Sequence, residues 1–301
     1  MTRPSQALFV SVVIALALIG TSIGADPASA FTGSLESRLA AKPDLMDEFE
    51  GFDERATEFI GHNRWQSFLD IYLAEDQSIV DVVTETEAVA NLFRYRAVSE
   101  ADKQTLNEYI ATLQAVGISN YNRDEQKAYW INLYNALTVR TVLEHYPVRS
   151  IREIDISPGF FSSGPWGKKL VTIEGVDLSL DDIEHRILRP IWEDNRIHYA
   201  LNCASIGCPD LWPQAFTPEN MEDNLEAAAF KFINNSRGVS IVGGRMTISQ
   251  IYEWYDEDFG GTDEGVLEHL LKYARKTLAR NINRRIGLIK TDYDWDLNEA
   301  R

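Results

Sequence analysis

The chain has 301 residues, a formal net charge of −17 and two cysteines. A field of that sign repels nucleic acid and anionic membrane surfaces, so neither is an expected partner. The length allows a sizeable core and suits one large domain, or one domain with a helical extension.

Residues 1–30 read as a secretory signal peptide. Arg3 and the free amine give a positive start, Ala7 to Ile19 is apolar except for Ser11, and Ala28-Ser29-Ala30 has the small-x-small form of a cleavage site. The apolar run is shorter than the roughly 20 residues that a spanning helix needs. Cleavage after Ala30 is therefore expected, with a periplasmic or extracellular product and no membrane contact thereafter. An uncleaved anchor is the alternative.

From Ser34 to Val116 the pattern reads as helical, with Trp65, Phe68, Leu69, Tyr72 and Leu73 at helical spacing and Leu106, Ile110 and Leu113 likewise. Asp124 to Tyr146 forms a second kind of helix. It is opened by acids, closed before Pro147, and apolar nearly all round from Ala128 to Val142, which predicts a helix inside the core. A Gly/Pro/Ser-rich loop follows from Ser157 to Lys169. LVTIEGVDLSL predicts a hairpin turned at Glu174-Gly175. A short helix is expected over Asp181 to Arg189 and a strand over Ile197 to Asn202. Thr217 is the expected cap of a helix running to about Asn235. VSIVGGRMTIS predicts a hairpin turned at Gly243-Gly244, and two helices follow, Gln250 to Tyr255 and Asp263 to Asn283. The fold class is α+β: a helical N-terminal part, 31–122, packed on a domain of hairpins interleaved with helices, 123–301.

Three places carry polar residues that need explaining. Asn132 and Asn135 share a face of the buried helix, as a clamp on a neighbouring loop or as one wall of a site. In LDDIEHRILRP, Ile183, Ile187 and Leu188 define an apolar arc of about 140°. Glu184 falls inside that arc, with His185 and Arg189 on its flank. This is either a helix with one awkward acid or a histidine held by a ring of charges.

The third place is IHYALNCASIGCP, Ile197 to Pro209, which holds Cys203, Cys208 and His198. If Ile197 to Asn202 is a strand, side-chain alternation puts His198 on the face opposite Cys203. A metal site from His198, Cys203 and Cys208 lacks the short Cys-x-x-Cys grip of common zinc sites, and no metal or cofactor is expected. A Cys203–Cys208 disulfide, a reactive Cys203 and a purely structural pair all remain open. A disulfide closing so short a ring would contribute roughly 2 kcal/mol, so stability alone is a weak reason for it.

KAYWINLYNAL, LSLDDIEHRILRP, HYALNCASIGCP, ISQIYEWYDEDFGG and YDWDLN, in that order, resemble the set that marks domain-of-unknown-function family 547. The resemblance runs from about Trp65 to Asn298. It maps a Glu-His pair onto Glu184 and His185, and an Ala-Leu-x-Cys unit onto Ala200, Leu201 and Cys203. It holds His198 and Cys208 more loosely, and so implies the pairing of Cys203 with His185 rather than His198. A remoter analogy to papain-like and transglutaminase-like thiol enzymes would require a permuted topology, because here the histidine precedes the cysteine.

Three functions are consistent with these residues. The first is an acyl-transfer enzyme, a hydrolase or transpeptidase. Cys203 would be the nucleophile, His185 the base, Glu184 or a buried asparagine the orienting group, and Asn202 or nearby amides the oxyanion donors. The second is a non-catalytic domain that binds a peptide or small ligand with Trp166, Trp192, Trp212 and the Phe160-Phe161 loop, its cysteines oxidised. The third is a thiol-redox protein cycling Cys203 and Cys208.

Overall fold

The computed structural model describes residues 42–81, 86–158 and 164–300. The signal-peptide reading of residues 1–30 and the Phe160-Phe161 loop lie outside the described residues. Among the described residues no helix is long and apolar enough to cross a membrane.

The first helix, α1 (Asn63–Tyr72), buries Trp65, Phe68, Leu69 and Tyr72, the residues whose spacing predicts it. It is followed by an antiparallel pair, β1 (Leu73–Asp81) and β2 (Thr86–Phe93). The helical expectation for Ser34 to Val116 therefore fails over this stretch. The clear 3.6 period stops at Leu73. Beyond it the β2 side chains alternate between buried Ala88 and Ala90 and outward neighbours, a period of two that favours a sheet. Next comes α2 (Glu100–Gln114), capped by the Ser99 hydroxyl on the Asp102 amide at 3.1 Å.

The longest helix is α3 (Arg123–His145). Asn122 caps it, accepting from the Asp124 and Glu125 amides at 3.1 and 3.0 Å. Every residue from Glu125 to Val139 is buried, so this helix is packed on all sides. Even Lys127 is buried, held by Asp194 at 2.8 Å. The predicted hairpin is β3 (Val171–Ile173) with β4 (Val176–Leu178). Glu174 and Gly175 both have positive φ, 48° and 85°, as a two-residue turn of this hand requires.

The expected helix near Asp181 is a π-helix, Asp182–Leu188, running into a short α4 (Arg189–Trp192). A wider turn of this kind is rare and often sits at functional sites. The expected strand over Ile197 to Asn202 is absent. Asn195–Tyr199 is a 3-10 helix, started by Asp194, whose carboxylate accepts from the Arg196 amide at 3.0 Å. The run is buried on every side, so its apolar pattern has no period that separates strand from helix. The alternation argument for His198 therefore has no strand to act on.

The next helix, α5 (Met221–Ile233), starts later than the expected cap. Thr217 donates its amide to the Asn220 side chain instead, within a turn. The second hairpin, β5 (Val239–Val242) and β6 (Arg245–Ser249), turns at Gly243-Gly244 as expected. A short α6 (Ile251–Trp254) precedes α7 (Asp263–Tyr273) and α8 (Lys276–Asn283). The single helix expected over Asp263 to Asn283 is broken at Arg275, whose amide donates to Asn234 at 2.7 Å. Finally β7 (Lys290–Asp292) runs parallel to β6.

Among the described residues, small sheets among eight α-helices give the α+β class expected. The larger apolar core surrounds α3 and includes Trp65 and Phe93 as well as Ile187 and Leu297. It therefore spans both sides of the 122–123 boundary. A second core gathers Phe232, Ile248, Phe259 and Leu270. Tyr199 belongs to the second core and Ala200, Leu201 and Ala204 to the first, so the segment leading to Cys203 runs along their seam.

Candidate active site at Cys203

Two buried amides position the cysteine segment. Asn135 of α3 donates to the Ala200 carbonyl at 2.8 Å and accepts from the Asn202 amide at 2.9 Å. Asn132, one turn earlier, does the same for both backbone groups of Phe216, at 2.7 and 3.0 Å. Both are clamps on backbone. Neither side chain bonds to a cysteine.

After Cys203 the chain turns sharply. Ala204 is fully buried with φ of 59°, a left-handed conformation that costs a non-glycine residue on the order of 1 kcal/mol or more. The Asn202 side-chain Oδ1 holds the turn by accepting from the Ala204 amide at 3.0 Å, and its Nδ2 donates to the Pro209 carbonyl at 2.8 Å. The C-terminal strap YDWDLN lies across this turn. Ile206 and Gly207 donate to Asp296 and Asp294, each at 2.8 Å, and Asn298 donates to Ala204 at 3.1 Å. A Cβ on Gly207 would lie 2.7 Å from the Asp294 amide nitrogen, so the close approach of the strap requires glycine there.

The strap delivers Tyr293 to the sulfurs. The Cys203 Sγ lies 2.9 Å from the Tyr293 hydroxyl, 3.3 Å from the Ser205 hydroxyl and 2.9 Å from the Cys208 Sγ. Ser205 and Tyr293 are 2.8 Å apart, which closes the ring. Both cysteines are free thiols, Cys203 partly exposed and Cys208 buried. Burial works against a Cys203 thiolate. Hydrogen bonds from Cys208, Ser205 and Tyr293 outweigh it, and the Cys203 thiol is held below its ordinary range. Cys208 goes the other way: burial and its hydrogen bond to Cys203 push its thiol well up. One sulfur is set to be the thiolate and the other to be its proton donor.

A second polar centre lies beside the first. His198, at the end of the 3-10 helix, has its Nε2 at 2.7 Å from Asp258 and its Nδ1 at 3.5 Å from Glu184. Burial opposes a charge on this ring, but the two carboxylates raise its pKa. Arg189 donates to Asp258 at 2.6 Å and to the His185 Nδ1 at 3.1 Å. The His185 ring, desolvated and next to Arg189, is pushed down to about 4 and stays neutral near pH 7. Burial would raise Glu184, but His185, His198 and Arg189 hold it at about 2. Asp258, partly buried, is likewise held at about 2 by His198 and Arg189. Tyr255 covers the cluster, stacked on His198 at 4.3 Å with Arg189 4.9 Å from its ring.

The structure therefore gathers Glu184, His185, Arg189 and His198 into one centre, and Cys203, Cys208 and Asn202 into another. Among the described residues no hydrogen bond or ion pair joins Cys203 to either histidine. Glu184 acts on it through charge and opposes the thiolate. The backbone amide of Cys203 donates to the Cys208 Sγ at 3.0 Å. With the Ala204 amide and the Asn202 side chain also engaged, these three donors of the turn are committed to protein acceptors. The tryptophans are scattered: Trp166 packs on Trp295, Trp192 lies under Arg123, and Trp212 bridges the two cores.

The sequence reading missed Ser205, Tyr293, Tyr255 and Asp258. The last three lie in YDWDLN and YEWYDEDF, far from Cys203 in the chain, and no spacing rule links them to it. Residues 118–233 match the family model described as a protein of unknown function, DUF547. That segment includes both cysteines, His185, His198, Glu184 and Arg189, while Tyr255, Asp258 and Tyr293 fall after it. Neither a curated protein nor a solved structure matches the chain.

Proposed function

We propose that this protein is an exported thiol–disulfide exchange protein with Cys203 as attacking thiolate and Cys208 as resolving thiol. The observation that carries the reading is the sulfur pair itself. Two free thiols sit 2.9 Å apart, the more accessible one stabilised as thiolate by the buried one. The Cys203 thiolate attacks a substrate disulfide, forming a mixed disulfide and expelling one substrate thiolate. Cys208 then loses its proton to that leaving thiolate and attacks the Cys203 sulfur. The second substrate thiol is released and a Cys203–Cys208 disulfide remains. An external dithiol reverses the cycle. The substrate is a peptide or small molecule that carries a disulfide. Ser205 and Tyr293 steady the thiolate in place of a cation.

Acyl transfer is the weaker reading, since it asks for a base on Cys203 and for oxyanion donors that the turn has spent elsewhere. Export rests on the apolar run and the Ala28-Ser29-Ala30 site. Exported protein should begin at Phe31 by N-terminal sequencing.

The test is equilibration in buffers of graded dithiothreitol ratio, followed by iodoacetamide and mass spectrometry. A reversible change between two adducts and none is expected, and Cys208→Ser should accumulate a mixed disulfide on Cys203. One alkylatable thiol that never forms a disulfide would overturn the proposal. So would a pair that resists all reductant.

A further inference from the structure

The negative charge of the chain is not evenly spread. From His269 to Thr291 there is no Asp or Glu and there are seven Lys or Arg. The stretch covers the C-terminal part of α7 from His269, all of α8 and the loop into β7. Arg275, Lys276, Arg280, Arg284 and Lys290 are exposed. Lys272 reaches Glu226 at 3.9 Å, but the other six cations form no ion pair among the described residues.

Apolar side chains stand among these charges. Ile286 and Leu288 are 60% and 67% exposed, and Val242 beside the β5–β6 turn is 59% exposed. The fold brings them together. The Ile286 amide donates to the Gly244 carbonyl at 2.8 Å, and β7 pairs with β6 through Thr247 and Lys290. The hairpin tip and the loop after α8 thus form one apolar knob with cations around it, Arg245 included.

We infer that this end of the molecule docks on an anionic lipid surface. Three observations favour a bilayer. Six of the seven cations have no acidic partner among the described residues. The apolar side chains at the tip are left more than half exposed by the described residues, and an acyl boundary takes such groups while the lipid phosphates meet the arginines. Acids more than roughly 8 Å from the patch are largely screened at physiological ionic strength. The whole-chain charge, which argues against an anionic surface, therefore does not govern this end. The inference is independent of the thiol chemistry.

The experiment is co-sedimentation of the full chain with phosphatidylglycerol-rich vesicles and with phosphatidylcholine vesicles. The apolar run Ala7 to Ile19 can bind either kind, so the difference between the two compositions is the reading. Binding to the anionic vesicles should be stronger and should fall towards the neutral level at high salt. Arg280→Ser with Arg284→Ser should weaken the anionic excess roughly 30-fold. Ile286→Ser with Leu288→Ser should weaken it about tenfold or more. All these positions are exposed, and circular dichroism checks that each variant is folded. Val242→Ser is a milder third probe of the knob. Equal binding to both vesicles in the wild type overturns the inference. So does dextran sulfate binding of equal strength with an Ile286→Ser, Leu288→Ser variant that still holds anionic vesicles, which would mark a soluble-polyanion site. Dimerisation by sedimentation velocity, without lipid and abolished by the same variants, would assign the patch to a second copy instead.

Discussion

The sulfur centre and the charge cluster are neighbours built on opposite principles. Around His198 two carboxylates meet two cations, each charge satisfied by a partner and the whole roofed by Tyr255. Among the described residues no cation bonds to the Cys203 sulfur, whose partners are two hydroxyls and a thiol; the nearby Arg237 donates to the Ile206 and Cys208 carbonyls instead. The first arrangement locks: moving any charge leaves another buried and unpaired. The second can change state, because a hydrogen-bonded thiolate can leave for a covalent bond without stranding a countercharge. A histidine drawn into a buried lock is poorly free to serve as a base, which is why the chemistry is assigned to the sulfurs.

The largest effect that separates the two centres should be on stability. Asp258→Asn removes the carboxylate shared by His198 and Arg189. Breaking one partner of a buried ion pair costs on the order of 3–5 kcal/mol, measurable by urea unfolding at pH 7. Tyr293→Phe, the matching lesion in the sulfur centre, should cost less than about 1.5 kcal/mol. Comparable losses from the two variants would remove the distinction between a lock and a reactive centre.

The acid limb of stability sharpens the same contrast. Glu184 and Asp258 are held at about 2, below their unfolded values near 4. A depressed carboxylate stabilises the fold above its unfolded pKa, and that contribution is lost as pH falls through the folded value. His185, held at about 4, binds its proton more readily when unfolded, so its share of the loss begins below about pH 6.5. The raised His198 works oppositely: its contribution is full below about pH 6.5 and fades at higher pH. The steep loss should therefore fall between about pH 4 and pH 2, roughly 2 kcal/mol or more. It should be shallower in Asp258→Asn, by urea midpoints across that window.

Much of this frame was legible from pattern alone. The all-round apolar stretch of α3 predicted a core helix, and the paired glycine-bearing turns predicted both hairpins. The buried acid at Glu184 flagged the cluster, because an acid inside an apolar arc needs partners. What it could not show were those partners. Asp258 and Tyr293 reach their targets only through the seam between two cores and a strap of backbone bonds, and such long-range contacts leave no period in the chain. The strand expected at Ile197 failed for a related reason: full burial erases the alternation by which strands are read. The β1–β2 hairpin was lost to the strong helical period just before it.

In the sulfur centre the expected effects are smaller and are read on the thiol. Removing a hydrogen bond to a thiolate should raise the Cys203 pKa by about one unit in Tyr293→Phe. The rate of iodoacetamide alkylation against pH, in a Cys208→Ser background, measures it. Ser205→Ala should shift it less, since that contact is longer, 3.3 Å against 2.9 Å. An unmoved profile in Tyr293→Phe would mean that the strap positions the loop without tuning the sulfur.

The smallest expected effect is the most discriminating. The family resemblance pairs Cys203 with His185, and an ion pair of that kind would make His185→Gln raise the thiol pKa as much as Tyr293→Phe does. The geometry argues otherwise in three steps. The His185 ring accepts from Arg189 at 3.1 Å, so that nitrogen has no proton to share. Its pKa of about 4 leaves it neutral where the thiol titrates, and a neutral ring at no hydrogen-bonding distance exerts little field. The charge that does reach Cys203 belongs to Glu184 and opposes the thiolate, so Glu184→Gln should lower the thiol pKa slightly, by roughly a few tenths of a unit. His185→Gln should move it by less than that. The same alkylation profiles, recorded on variants shown to be folded, decide the matter. A rise of a full unit in His185→Gln would restore the Cys-His pair, and with it the acyl-transfer reading of this site.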